Sequence, residues 1–134
     1  MRAHIKALMA ALAAEGWSVH YGDATGVQSF PYVLLWSTVG DDDVEVPMAD
    51  DGGWSDLIGV TVVDTTPLNT VGSAQKVRDM LDGLLLTVPD RHAILHLRKG
   101  LGQSVQVDRD VTITGTNTHP CYVVERYLLT SQPI

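Results

Sequence analysis

The sequence predicts an α+β domain, a mostly antiparallel sheet packed against two helices. Two segments carry apolar residues at helical spacing, and between and after them come runs with the length and composition of strands. The 134 residues are 45% hydrophobic, enough to bury roughly two-thirds of the unfolded surface in one core. The chain therefore reads as a single domain over residues 1–134, with no internal repeat and no low-complexity segment.

In chain order, residues 2–15 form the first helix. Ile5, Leu8, Met9 and Leu12 recur at i, i+3, i+4 and i+7 among helix-favouring alanines, and Gly16 is placed to stop it. "WSVHYG" is a short strand leading into a Gly/Asp/Thr loop at 22–29. "PYVLLWSTV" is an unbroken apolar run, which predicts a strand covered on both faces. Residues 40–56 are rich in Asp and Gly with one proline and no helical period. They predict an acidic, flexible loop or irregular hairpin that a partner orders. "LIGVTVVDT" resumes as strand. The second helix is predicted to begin between Asn69 and Ser73 and to run to about Leu86, with Ala74, Val77, Leu81, Leu84 and Leu85 on one side. Gly83 inside it costs about 1 kcal/mol. "HAILHLRK" is the next strand, followed by a Gly-Leu-Gly turn. "VQVDRDVTITG" alternates most cleanly, placing Val105, Val107, Val111 and Ile113 on one face. The last strand is 121–130, and "SQPI" trails off.

The formal charge is −7, from 16 acidic against 9 basic residues, which argues against neutralising nucleic-acid phosphates. The acids cluster at Asp41, Asp42 and Asp43, with Asp50, Asp51 and Asp56 nearby. A single cysteine allows no disulfide within the chain and suits a reducing compartment. No signal-peptide pattern follows Arg2 and Lys6, and no apolar run approaches the roughly 20 residues that span a bilayer. A soluble protein, made inside a cell and not bound to membrane, is expected.

"THPCYVVERYLL" holds that cysteine two residues after His119. A working thiol needs a lowered pKa from a helix N-terminus or an adjacent imidazolium. Pro120 marks a strand entry, so Cys121 reads as a small hydrophobe at the start of a strand. His92 and His96 have the spacing of helical zinc ligands, but their neighbours favour a strand, where i and i+4 lie about 13 Å apart. "DDDVEV" lacks the spaced oxygens and the glycine of a calcium loop. No catalytic triad, P-loop or dinucleotide fingerprint is present, and "GLGQS" opens no helix. No catalytic residue, cofactor or metal is predicted. The closing strand puts Cys121, Val123, Tyr127 and Leu129 on one face and Tyr122, Val124 and Leu128 on the other, with Glu125 and Arg126 as its charges. A strand apolar on both faces must be covered twice, by its own core and by a helix or another subunit. Asp41, Asp42, Asp43, Asp50, Asp51, Trp54, Tyr122, Glu125, Arg126 and Tyr127 are the candidate contacts with other subunits or partners.

Four stretches in this order resemble the tail terminator (tail-completion, lambda-type minor tail) proteins of long-tailed bacteriophages. They are "IKALMAALAAEG", "FPYVLLWS", a valine-rich strand feeding "GSAQKVRDMLDGLL", and "HPCYVVERYLLTSQP". The resemblance spans nearly the whole chain, and the long acidic 40–56 segment departs from it. It implies a virion structural protein at the head-proximal end of the tail, assembled in the host cytoplasm, with no chemistry of its own. Such proteins form a hexameric ring on the last ring of the tail tube. The implied partners are further copies of the chain, the major tube protein and a head-completion or connector protein, with DNA passing through unbound. A different neck subunit, such as a head-closure or connector-adaptor protein, is the alternative in the same setting. A small thiol enzyme using Cys121 and His119 and a monomeric ligand-binding domain are the alternatives outside it.

Overall fold

The computed structural model describes residues 1–24, 29–38, 53–98 and 104–134. Helix α1 (Arg2–Ala14) forms where alanines surround a buried stripe of Ile5, Leu8 and Leu12. It stops at Glu15, and Gly16 takes φ +88°, a left-handed conformation that costs glycine little. The chain can thus turn directly into β1 (Ser18–Tyr21) and then β2 (Tyr32–Ser37).

Strand β3 is Trp54–Asp64, so Trp54, Ser55 and Asp56 belong to a strand and not to the predicted loop. Pairing of Trp54 with Ser131 and of Asp56 with Leu129 carries the strand that far. The rest of the acidic segment, with Asp41, Asp42, Asp43, Asp50 and Asp51, lies outside the described residues.

Helix α2 (Pro67–Leu81) corrects the predicted boundaries at both ends. The Thr66 side chain accepts a hydrogen bond from the Asn69 N–H at 3.1 Å, and Pro67 occupies the first turn, where its missing N–H is harmless. Both signals lie upstream of the apolar period that suggested a later start. At the other end Asp82 leaves helical geometry and Gly83 takes φ +83°, so this glycine ends the helix. Leu84 and Leu85 are therefore not part of the helical stripe. Leu85–Val88 is instead a strand, β4, which turns at Asp90 and pairs back onto β5 (Arg91–Leu97).

The strand order is β1-β2-β3-β7-β5-β4, with β6 (Gln106–Val107) on a free stretch of the β7 edge. Only β1 and β2 run parallel; the other five pairings are antiparallel. The domain is α+β with a mixed sheet. Strand β7 (Cys121–Pro133) is its axis and continues through Ser131–Pro133, so the C-terminal segment does not trail off. Ser131 there has 0% of its surface exposed.

The cleanest alternation in the sequence, 105–113, yields only the two residues of β6. Downstream, Asp108 accepts from the Asp110 N–H and Ile113 N–H bonds to Thr118 O, so the chain turns and Val111 is left exposed. An Asp-X-Asp run is turn chemistry, and it overrides the period-2 pattern.

Both helices pack on one face of the sheet. Leu8 and Leu12 of α1 and Val77 and Leu81 of α2 close over Val33, Leu35, Ile58, Val60, Leu95, Tyr127 and Leu129. Each fully buried side chain of this size contributes about 1.5–3 kcal/mol.

A candidate interface on the open face of the sheet

Successive strand residues point to opposite sides, so the register fixes what each face carries. On the helix side of β7 lie Cys121, Val123, Glu125, Tyr127, Leu129 and Ser131, all buried. On the other side lie Tyr122, Val124, Leu128 and Thr130, half-buried, and Arg126, exposed. Strand β2 repeats the pattern: Val33 and Leu35 face the helices, while Tyr32, Leu34 and Trp36 are half-buried opposite them. The run read as covered on both faces is covered by helix on one.

Across the sheet this open side forms ordered rows. Tyr32, Val63 and Tyr122 align in one row, Leu34, Thr61 and Val124 in the next. Trp36, Gly59 and Arg126 form a third. Leu57, Leu128 and His96 form a fourth, and Ser55, Thr130 and Ile94 a fifth. A Cβ on Gly59 would fall 1.7 Å from Trp36 Cε2, so the glycine is what lets the indole lie flat on the sheet. The Arg126 guanidinium carbon then sits 5.9 Å from the Trp36 ring centroid, a cation–π contact worth about 0.5–1 kcal/mol at an exposed site.

The strand carboxylates divide between the two faces as sharply as apolarity does. The three carboxylates within described strands, Asp56, Asp64 and Glu125, all fall on the helix side. The open side carries Arg126, His92 and His96, and the Arg98 N–H extends the ladder to Arg126 O. In a chain of charge −7 this is an apolar face that carries the Arg126 cation.

Several predicted contact residues are committed inside the subunit. Tyr127 is 1% exposed in the core, and its hydroxyl has no hydrogen-bond partner; burial pushes its pKa up. Glu125 is buried, and its Oε2 accepts from Arg78 Nε and Nη2 of α2, each at 2.9 Å. Trp54 lies on the helix side, edge-on to the His4 ring with centroids 4.6 Å apart and beneath Arg91. Tyr127 and Glu125 are thus closed off within the subunit, while Trp54 remains half-buried. Tyr122 and Arg126 do lie on the open face. Leu34, Trp36, Leu57 and Leu128 join them there, a group missed because a continuous apolar run does not say which side is covered.

Elsewhere the groups with chemical potential are quiet. Cys121 is buried, and burial followed by Asp64 pushes its thiol pKa up, the opposite of activation. The His119 Nδ1 is 2.6 Å from Val111 O and is held by backbone. Among the described residues no three His, Cys, Asp or Glu side chains converge. A cleft of about 830 Å³ lies between the end of α1, Phe30–Pro31 and α2. Its buried carboxylate, Asp64, is occupied by the Thr65 N–H at 2.7 Å and the Ser73 hydroxyl at 2.8 Å.

Neither a protein-family model nor a curated protein matches the sequence. A solved structure known by a serial designation alone is similar over 96% of this chain and 92% of its own, with 14% identity and a TM-score of 0.50. At that identity the likeness shows the fold alone.

Proposed function

We propose that this chain is a structural subunit that works by assembling with copies of itself, as a tail terminator of a long-tailed phage. In that role a homo-oligomeric ring caps the tail tube, ends its polymerisation and presents a surface to the head connector. The observation that carries the reading is a sheet with helices, among the described residues, on one side only. Its other side offers Tyr32, Leu34, Trp36, Leu57, Tyr122, Val124 and Leu128 in contiguous rows. A contiguous apolar face of this kind marks an interaction surface. The order of the sequence stretches that resemble the terminator family supports the specific role. The net charge of −7 suits a passage through which DNA slides without sticking.

The test is genetic and visual. Particles lacking the protein should carry tails of unregulated length that fail to join heads, and a label on the protein should appear at the head–tail junction. Tails of normal length, or a label elsewhere, refute the assignment. Turnover of a substrate by the purified protein would favour the enzyme alternative. The buried, deactivated Cys121 gives that alternative no support.

A further inference from the structure

Among the described residues no helix covers the second face of the sheet, and a ring requires a second, different patch on each subunit, because its contacts are heterologous. The outward side of α2 supplies one. At 3.6 residues per turn, Leu68, Val71, Gly72, Gln75 and Asp79 fall in one stripe. Leu68 is 81% exposed and Val71 54%, one turn apart on the same side, so they offer an apolar surface to another chain. The stripe is apolar in its first half and acidic in its second, where Gln75 Nε2 donates to Asp79 Oδ1 at 2.7 Å. Lys76 flanks it on one side and Arg78, tied to Glu125, on the other.

We infer that the α2 stripe of one copy docks on the open sheet face of the next, with Leu68 and Val71 over the Tyr32–Tyr122 end and Asp79 at Arg126. The inference rests on reading the open face as a contact between copies, and is independent of the tail role. Two comparisons carry it. The first is span. Leu68 to Asp79 is eleven residues of helix, about 16 Å. Arg126 stands level with Trp36 two strands away, and Tyr32 is four residues further along β2. At about 4.8 Å between strands and 3.4 Å per residue, Arg126 and Tyr32 lie about 17 Å apart.

The second is charge. Front-to-front packing puts Arg126 and Arg98 of both copies in one interface with no strand carboxylate, among the described residues, on that side to offset them. Back-to-back packing sets the Asp79 stripes of two copies against each other with no cation on the stripe itself. Front-to-back packing alone sets carboxylate against guanidinium and apolar against apolar. It also places a helix on the sheet face that has none among the described residues.

The contact is tested on the purified full-length protein by sedimentation. Wild type should associate, and Arg126→Asp or Asp79→Arg alone should each weaken association about tenfold. Both in one chain should restore it, since every contact is again oppositely charged. Both positions to be changed, Asp79 and Arg126, are exposed, and far-UV circular dichroism verifies the fold of each variant. Mixing Asp79→Cys with Arg126→Cys protein under oxidant should give a disulfide between the two variants and none within either alone. A wild type that stays monomeric at about 1 mM, a free energy of only about −4 kcal/mol, overturns this contact while the particle experiment still decides the tail role. Association unaffected by the single reversals, or Arg126→Cys linking to itself, overturns the front-to-back arrangement and leaves self-assembly standing.

Discussion

Acidification from about pH 7.5 to pH 5 should destabilise the fold through one side chain, His4. It lies in α1, 3% exposed, with Nε2 2.8 Å from the Ser131 hydroxyl oxygen at the far end of the chain. That oxygen also accepts from Arg91 Nε at 2.5 Å. Arg91 can only donate, so the serine's own proton is free to go to His4. The His4 Nδ1 is buried with no partner. Protonation would put a second donor on Ser131 and a buried cation near the N-terminal amine and Arg91. Burial first, then those two charges, hold the His4 pKa at about 4 against an ordinary 6.5.

Because the folded value is the lower one, the unfolded chain takes up the proton first. The contribution is fully present above pH 6.5 and falls away between 6.5 and 4. At about 1.36 kcal/mol for each tenfold step in proton affinity, the full effect is about 3 kcal/mol, and about 2 kcal/mol is lost by pH 5. Urea unfolding of wild type and His4→Leu at the two pH values isolates it. His20, His92, His96 and His119 are common to both proteins, so their titration cancels. Wild type should lose about 2 kcal/mol more than the variant. Equal losses, or a His4 ring that titrates at 6.5 or above by NMR, would refute the reasoning.

Gly59→Ala should cost about 1–3 kcal/mol, since its methyl group must displace the Trp36 indole. In a Trp36→Ala background the same change should cost far less; equal costs in the two backgrounds would show that the indole is not what the glycine accommodates. Tyr127→Phe removes a buried hydroxyl that has no partner, so stability should be unchanged or higher by up to about 1 kcal/mol. A loss of 2 kcal/mol or more in urea unfolding would mean that the hydroxyl is bonded.

The stripe Ile5, Leu8, Leu12 followed by Gly16 was enough to place α1, because local spacing and a stop residue carry that information. The apolar runs likewise placed β2, β3, β5 and β7 to within a few residues. Local signals misled where two competed. Leu84 and Leu85 extend a helical period across Gly83, yet the glycine's left-handed φ decides, and Leu85 pairs with Ile94 in the sheet. The alternation at 105–113 lost to aspartate turn chemistry for the same reason: a strand pattern needs an edge to pair with.

For the candidate site the sequence identified an apolar last strand and could not say which face would be open. Tyr127 and Glu125 look as available as Tyr122 and Arg126 until register places the first two beneath α2. Nothing local announces that His4 and Ser131, 127 positions apart, share a hydrogen bond. By itself the chain determined α1 and the strands β2, β3, β5 and β7, because helix stripes and strand runs are set by neighbours a few residues away. Only the tertiary structure decided that both helices cover one side and that every described strand carboxylate turns toward them. Those outcomes depend on which strands pair and in what register, and that is settled by contacts between residues far apart in the chain.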